Sequence, residues 1–350
     1  MPKRFLVIQT AFLGDAVLAT ALLEKLHAFY PDAMIDLVVR KGNEGLFTPS
    51  GSPGRGGKCT IPHVHPFLRK LFIWDKRSNK NRNLFDLINE LRRERYDHII
   101  NCQRFFSTGL MTACARGAEK IGYDKNPLAP FFDRGVAHRI PVPADLRPSM
   151  STVKEDFTHE VDRLNDLIEH LTDKSRPLPR LYPTAQHREE IRPKAPYVCI
   201  APTSVWFTKQ WPEMKWTELI RSFPAETQVY LLGAPGDAEA CSRIARDTGR
   251  GEVLAGKISL LGTAHLMADA VMNYVNDSAP LHIASAMNAP VTAVFCSTVP
   301  AFGFGPLREN GHVVETNEKL DCRPCGLHGY RSCPKGHFRC ALGIPAEPLH

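Results

Sequence analysis

The stretch KRFLVIQTAFLGDAVLATALLEKLHAFY, residues 3–30, decides the fold. An apolar strand over 3–9 leads into the turn TAFLGD, and apolar residues then recur at helical spacing over 15–30. A second strand, MIDLVV at 34–39, follows, and a strand–helix–strand unit of this length predicts two parallel strands. The stretch also places an acid, Asp15, where the strand turns into the helix.

The same alternation continues along the chain and then begins again. KLFIW and DHIINCQ (97–103) are predicted strands, with a helix, NLFDLINELRRERY, over 83–96 between them. A segment rich in proline and charge spans 176–196, and predicted strands resume after it at YVCIAP, QVYLLG, AVMNYVN and PVTAVF. We therefore expect two doubly wound α/β domains in series, which bind ligands at the carboxyl ends of their strands and face each other across a cleft.

The expected boundaries are a first domain over 1–180, a linker over 181–196, a second domain over 197–320 and a Cys-rich tail over 321–350. The Gly/Pro-rich segment at 50–66 has no periodicity and is predicted to be a surface loop. No apolar run is long enough to span a membrane, and the N-terminus lacks the features of a signal peptide. We expect a cytoplasmic protein whose cysteines are reduced.

Positive charge is concentrated in the N-terminal half. From Arg69 to His98 there are nine Lys or Arg residues against five Asp or Glu. Such a face suits a partner rich in phosphate or carboxylate, such as nucleic acid, anionic lipid or acidic sugar. A solvated helix face held by salt bridges explains the same pattern equally well.

The strand–turn–helix opening is not a dinucleotide site. The turn contains one glycine, Gly14, where the dinucleotide fingerprint needs three, and Arg40 replaces the acid expected after the second strand. Asp15 therefore needs another explanation. It either caps the helix, or it is an ionised carboxylate that accepts a proton from a sugar hydroxyl.

Two turns of the second domain carry groups that bind phosphate. APTSVWFTKQWP follows a strand and presents Thr203, Ser204 and Lys209. NYVNDSAPLHIASAM has a strand, a polar turn and a helix that begins near Ser278, so the free N–H groups of its first turn form an anion site. Together these two turns predict a diphosphate ligand.

A third turn, LLGAPGDAEACSRI, contains Asp237, which either accepts hydrogen bonds from a ribose or caps an ordinary helix. The C-terminal stretch DCRPCGLHGYRSCPKGHFRC has the spacing C-x2-C-x7-C-x6-C. Its four thiols suggest a structural zinc site, although a common zinc ribbon has a tight second pair. The cysteines in question are Cys322, Cys325, Cys333 and Cys340.

These motifs resemble those of glycosyltransferase family 9, the ADP-heptose:lipopolysaccharide heptosyltransferases. The resemblance covers nearly the whole chain, from QTAFLGDAVLATALLEKL through NCQRFFSTGL, EKIGYDKNP, APTSVWFTKQWP and VNDSAPLHIASAMNAPVTAVF to the Cys-rich tail. It implies the GT-B architecture, with an acceptor-binding first domain and a nucleotide-sugar-binding second domain. It also implies an inverting transfer that needs no metal cofactor.

The resemblance assigns roles to individual residues. Asp15 matches the general base, and Lys209 with Thr203 and Ser204 matches the group that holds and neutralises the leaving diphosphate. The segment that grips the donor matches Asp277, Ser278, Ala279 and His282, to which we add Asp237. For an anionic lipopolysaccharide acceptor at the cytoplasmic face of the inner membrane, the candidates are Arg69, Lys70, Arg92, Arg93 and Arg104.

The chain departs from the family pattern at one motif. Where the family has Asp-Thr-Gly, this chain has Asp277-Ser278-Ala279, which keeps the hydroxyl but loses the glycine that permits close backbone approach. The expected partners are thus a nucleotide-diphospho-sugar, with ADP-heptose first, and a lipopolysaccharide core, and not nucleic acid. The alternatives are a nucleotide-sugar epimerase or hydrolase of the same fold, and a non-catalytic nucleotide-binding protein.

Overall fold

The structure is a computed structural model that describes residues 2–49, 63–140, 158–193, 196–307 and 309–346. These residues divide into two compact units, the first within Met1–Arg139 and Glu160–Thr184, the second within Ile140–His159 and Ala185–His350. Each unit contains one six-stranded sheet in which all the paired strands are parallel. The prediction of two α/β units with parallel sheets is confirmed.

The first sheet has the strand order β3-β2-β1-β4-β5-β6. Its strands are β1 Arg4–Gln9, β2 Met34–Arg40, β3 Leu68–Trp74, β4 Tyr96–Asn101, β5 Gly117–Tyr123 and β6 Arg134–Val136. The helices of this unit are α1 Leu13–Leu18, α2 Thr20–Phe29, α3 Lys80–Leu91, α4 Phe106–Cys114 and α5 Glu160–Asp166. Short 3-10 turns lie at Glu44–Leu46, Ala129–Phe131 and Glu169–Leu171.

The second sheet has the order β12-β11-β10-β7-β8-β9, which is the same topology once its strands are counted from β7. Its strands are β7 Tyr197–Ala201, β8 Gln228–Leu231, β9 Glu252–Val253, β10 Met272–Asn276, β11 Val291–Phe295 and β12 Gly311–Glu315. The helices are α6 Ala185–Glu189, α7 Glu213–Ser222, α8 Ala238–Thr248, α9 Leu260–Ala268, α10 Ala279–Ala286 and α11 Arg339–Leu342. Its 3-10 turns are Phe207–Lys209, Pro235–Asp237 and Pro300–Phe302.

Burial of apolar strand faces by helices holds each unit together. In the first unit, alternate residues of β1 point to α3, so that Leu6 and Ile8 pack in one cluster with Leu87 and Leu91. In the second unit, Trp211 and Trp216 meet edge to face, with ring centroids 4.9 Å apart, inside the core formed with β7 and β8. Parallel strands buried on both faces explain the near-continuous apolar runs in the sequence.

The strand order reverses once in each sheet. In the first sheet the reversal lies between the neighbouring strands β1 and β4, and in the second it lies between β7 and β10. The connections leave to opposite faces at such a point, which opens a crevice outside the carboxyl ends of the two strands. Ligands are therefore expected at the loops that follow these four strands.

Two helices differ from the sequence prediction. The helix expected over 15–30 is divided at Ala19 into α1 and α2, and the hydroxyl of Thr20 donates to the carbonyl oxygen of Val17 at 2.7 Å. A side chain that bonds back to its own helix in this way bends it. The helix expected over 83–96 begins at Lys80 and ends at Leu91.

The segments predicted as linker and tail pack against different units. The segment before α6 belongs to the first unit, because Arg180 N donates to the Thr20 hydroxyl at 2.9 Å and the Tyr182 hydroxyl donates to Glu24 at 2.7 Å. The end of the chain is packed into the second unit, where Cys340 is buried and Ile344 joins the main core cluster. The predicted loop at 50–66 lies mostly outside the described residues. Among the residues that are described, no helix is long and apolar enough to cross a membrane.

Candidate active site

The loops at the crevice of the second sheet hold a buried ion pair. Lys209 ends the 3-10 turn after β7, and Asp277 directly follows β10. The Nζ of Lys209 lies 2.6 Å from Oδ2 of Asp277, and the two side chains are 15% and 7% exposed. The sequence predicted both residues as site residues from separate turns, and the fold brings them into direct contact.

Neighbouring polar groups fix this pair in place. The side chain of Asn276, the last residue of β10, accepts from Trp211 N at 2.9 Å and donates to the Pro202 carbonyl at 2.8 Å, which ties the loop after β7 to β10. The hydroxyl of Thr298 donates to Oδ2 of Asp277 at 2.5 Å. The oxygen that faces Lys209 therefore also accepts from a neutral donor, which compensates part of the cost of burying the charge.

Helix α10 begins immediately after Asp277. Ser278 is its N-cap residue and Pro280 lies in its first turn, as predicted, but the Ser278 side chain makes no capping bond within the helix. The leading N–H groups of a helix have no helical acceptor, so this half-buried turn at 278–280 presents positive partial charge beside Lys209.

His282 lies one turn further along α10 and is buried. Its pKa is lowered to about 3, mainly by burial and also by the charges of His159 and Lys209, while Asp277 acts in the opposite direction. The imidazole is therefore neutral at physiological pH, and its Nδ1 has no hydrogen-bond partner among the described residues. It belongs to the site as a neutral polar group, not as a second cation.

The other residues predicted to bind the donor are Thr203, Ser204, Ala279 and Asp237. Thr203 and Ser204 are half-buried in the loop after β7, where the Ser204 carbonyl accepts from Gln210 at 2.6 Å. Ala279 is the first residue of α10. Asp237 accepts from Ala234 N at 2.8 Å and so caps the turn before α8, which agrees with its reading as a helix cap.

In the first unit, Asp15 lies in the first turn of α1 at the carboxyl end of β1. Its side chain is half-buried, and Oδ2 accepts from Phe12 N at 3.1 Å, so it does cap the helix. A carboxylate offers about four lone-pair sites, and a capping bond therefore does not use up its capacity to accept a proton. The two readings of Asp15 are compatible.

Polar side chains join the loops at the crevice of the first sheet. Gln103 follows β4 and donates through Nε2 to Oε1 of Gln9, the last residue of β1, at 2.7 Å. Nearby, Thr10 Oγ1, Asn101 Nδ2 and Gln103 Oε1 are buried and have no hydrogen-bond partner among the described residues. Buried polar atoms of this kind are normally satisfied by water or by a ligand.

Four of the five predicted acceptor residues lie away from this crevice. Arg69 and Lys70 are at the start of β3, and Arg92 and Arg93 precede β4, so all four are at the amino ends of the strands. The Arg69 guanidinium also makes two hydrogen bonds to the fully buried Asp36, at 2.9 and 2.5 Å.

Lys70 is likewise neutralised, because its Nζ lies 2.5 Å from Glu94. Arg69 and Lys70, which the sequence suggested as ligands of an anionic partner, thus form ion pairs within the first unit. Arg104 is the exception, since it follows β4 at the carboxyl edge.

Two further cations, not predicted from the sequence as site residues, lie at the carboxyl edge of the first sheet. Arg40 ends β2 and its guanidinium lies 5.2 Å from the ring centroid of Phe12. Lys76 follows β3 and donates to the carbonyl of Thr10 at 2.7 Å. Burial lowers the pKa of Lys76 to about 8, and the positive charges of Arg40 and Lys80 contribute. Their positions directly after strands could have identified them, since that edge is where ligands bind.

The four cysteines of the C-terminal segment are free thiols. The Cys325 thiol donates to the Cys322 carbonyl at 2.9 Å, and Cys322 Sγ lies 3.7 Å from Nε2 of His337. In the described part of the chain, no group of three or more His, Cys, Asp or Glu side chains could hold a metal ion. The zinc site stays a prediction from spacing, which elemental analysis would test.

Two doubly wound α/β units define a GT-B fold, and the second has a cation and a helix N-terminus at its crevice. Residues 84–328 match the model of "Glycosyltransferase family 9 (heptosyltransferase)", and the chain therefore belongs to this family and is a glycosyltransferase.

Relatives and solved structures of similar kind agree with this assignment. The chain is 25% identical over 342 residues to lipopolysaccharide heptosyltransferase 1 of Pseudomonas aeruginosa, covering 92% of this chain and 86% of the relative. It is 28% identical over 316 residues to lipopolysaccharide heptosyltransferase 1 of Escherichia coli K12, covering 86% and 91%. The fold matches E. coli ADP-heptose lps heptosyltransferase II with a TM-score of 0.73 at 20% identity, covering 99% and 96% of the two chains.

Proposed function

We propose that this glycosyltransferase transfers heptose from ADP-heptose to a lipopolysaccharide inner-core acceptor, with inversion and without a metal cofactor. The observation that carries the donor assignment is the Lys209–Asp277 pair beside the N-terminus of α10. Asp277 takes one of the three N–H donors of the Lys209 ammonium, which leaves the others, with the free N–H groups at the start of α10, to bind a leaving diphosphate, the role that a divalent cation has in other transferases. The names of the relatives support heptose as the sugar and lipopolysaccharide as the acceptor.

The proposed reaction is a single displacement. Asp15 removes the proton from an acceptor hydroxyl, and that oxygen attacks the anomeric carbon on the face opposite the diphosphate. The bond from the anomeric carbon to the diphosphate oxygen breaks, and the electron pair leaves with the nucleoside diphosphate. Lys209 and the first turn of α10 stabilise this charge as it develops, so their effect is greatest in the transition state.

Three cations at the carboxyl edge of the first sheet are the proposed ligands of an anionic acceptor. They are Arg40, Lys76 and Arg104. Burial is the main cause of the lowered pKa of Lys76, and repulsion from Arg40 and Lys80 adds to it; an anion bound among these cations would relieve that repulsion, which supports this assignment. An acceptor anchored in the inner membrane would bring this unit to the cytoplasmic surface of the bilayer.

The donor assignment predicts which nucleotide stabilises the protein. In a thermal-shift screen of ADP, UDP, GDP and their sugars, we expect ADP and ADP-heptose to raise Tm most. A ligand at a hundred times its Kd adds about 2.7 kcal/mol to the free energy of unfolding. A larger shift with UDP or GDP would contradict ADP-heptose as the donor, while no shift with any diphosphate would contradict the site itself.

The base assignment predicts that Asp15→Asn lowers kcat by roughly 10²–10⁴-fold, the usual contribution of a positioned base. Asparagine still accepts the bond from Phe12 N, so Tm should change little. Binding of ADP should also be unchanged, because Asp15 belongs to the first unit. Transfer is measured as acceptor-linked heptose. Turnover that persists in the variant rules out Asp15 as the base, and sugar release without acceptor would favour a hydrolase.

The acceptor assignment predicts that Arg40→Ala and Lys76→Ala each raise the KM for the acceptor about 10- to 100-fold, the effect of one lost charge-assisted hydrogen bond. The matched controls are Arg92→Ala and Arg93→Ala, which remove the same charge at the amino ends of the strands and should change KM less than twofold.

The same assignment has a pH signature. Because the pKa of Lys76 is lowered to about 8, its ammonium loses the proton as pH rises through 8, and KM for the acceptor should rise there. Lys76→Arg keeps the charge and should remove that rise. Equal effects from all four alanine variants, or a rise that persists in Lys76→Arg, would contradict the assignment.

A further inference from the structure

One segment of the chain holds both halves of the Lys209–Asp277 pair. We call residues 322–330, from the first cysteine of the C-terminal motif to Tyr330, the brace segment. Its Arg323 side chain is buried and donates to three carbonyls, one at the last residue of β11 and two in the loop that follows. The acceptors are Cys296 O at 2.7 Å, Thr298 O at 2.9 Å and Phe295 O at 3.0 Å.

The loop that Arg323 fixes is the one that contacts Asp277. Thr298, whose carbonyl accepts from Arg323, donates its hydroxyl to Oδ2 of Asp277. Three carbonyls around one guanidinium use the planar fork of N–H donors that arginine has and lysine lacks. Glu315 lies 2.5 Å from the same guanidinium and balances its charge.

The other end of the brace segment fixes the turn that carries Lys209. Tyr330 N donates to the Thr208 hydroxyl oxygen at 2.7 Å, and Thr208 N donates to the Tyr330 carbonyl at 3.1 Å. The Ser297 hydroxyl donates to the same Thr208 oxygen at 3.0 Å. The turn of Lys209 and the loop that supports Asp277 are thus tied together through Thr208.

Gly329 makes this close contact possible. Its φ is +75°, and a Cβ at this position would lie 2.8 Å from Thr208 Oγ1 and 3.1 Å from Lys209 Cγ. Only glycine fits such an approach without moving its neighbours. Gly336, in the same motif, has φ +72° but no atom within 4 Å of the equivalent Cβ. The two glycines share a backbone conformation and differ only in what they touch.

We propose that the brace segment is a positioning element for the donor site, in which Gly329 and Arg323 set the distance and orientation of Lys209 relative to Asp277. The inference rests on the proposed function, because it takes Lys209 as the ligand of the donor diphosphate. It gives the C-terminal motif a role in binding the donor.

The test compares Gly329→Ala with Gly336→Ala in the full chain. Alanine is strained at both positions, so both variants should lower Tm, and Gly329→Ala should lower it more because its Cβ also overlaps Thr208. Gly329→Ala should weaken ADP binding at least tenfold by calorimetry and lower kcat with it, whereas Gly336→Ala should change ADP affinity less than twofold. Arg323→Lys should behave like Gly329→Ala, because the compact ammonium lacks the planar fork of donors that the guanidinium extends to the carbonyls of residues 295, 296 and 298.

Amide hydrogen exchange provides a readout that needs no ligand. Gly329→Ala should speed exchange at residues 207–209, and Gly336→Ala should not. If the wild type binds no ADP, the proposed donor site is wrong. The exchange rates at residues 207–209 then test by themselves whether the brace segment holds the turn of Lys209. Equal ADP affinities in the two glycine variants, or equal exchange at 207–209, would overturn the proposal.

Discussion

The candidate donor site is built around one buried ion pair, between Lys209 and Asp277 at the carboxyl edge of the second sheet. Removing two charges from water is costly, and their attraction repays the cost only when the geometry is good and further hydrogen bonds assist. Here the Thr298 hydroxyl donates such a hydrogen bond to the Asp277 carboxylate. A lysine held this way is oriented before a ligand arrives, and pre-orientation is what makes electrostatic stabilisation effective in a transferase.

Sheet topology explains why the pair forms at all. Its two members are 68 positions apart in the chain, from 209 to 277, yet they follow β7 and β10, which are neighbours in the sheet. The first unit repeats the arrangement, with Asp15 after β1 and Arg104 after the adjacent β4. One structural rule, that ligands bind where the order of parallel strands reverses, therefore locates both candidate sites.

Much of this was predictable from sequence. The apolar runs predicted β1 to β4 of the first sheet and β7, β8, β10 and β11 of the second, but not β5, β6, β9 and β12. The turns after β7 and β10 identified Lys209 and Asp277, because strand ends and helix starts leave clear local signals. The bend at Ala19 was not predictable from periodicity, since it accompanies a hydrogen bond from Thr20 to Val17. The hydrogen bond from Tyr182, in the predicted linker, to Glu24 of α2 was not predictable for a similar reason, because it joins segments far apart in the sequence.

The basic residues show where sequence reasoning fails. A count of charges predicts a positive face but not which charges are already paired, and only the fold reveals that Arg69 and Lys70 face Asp36 and Glu94. The C-terminal motif is a second case. The spacing of its cysteines suggested a zinc site. The contacts with the candidate donor site, however, are made by Arg323, Gly329 and Tyr330, which lie between those cysteines.

The most direct measurement of the central claim is the affinity for ADP when Lys209 alone is changed. Calorimetry on Lys209→Met should give a Kd about 10- to 100-fold higher than in the wild type, the effect of one lost charge-assisted hydrogen bond to phosphate. The matched control is Lys215→Met, which removes a lysine paired with Glu218 on the face of α7 and should leave Kd unchanged. Equal affinities for ADP in the two variants would contradict the account.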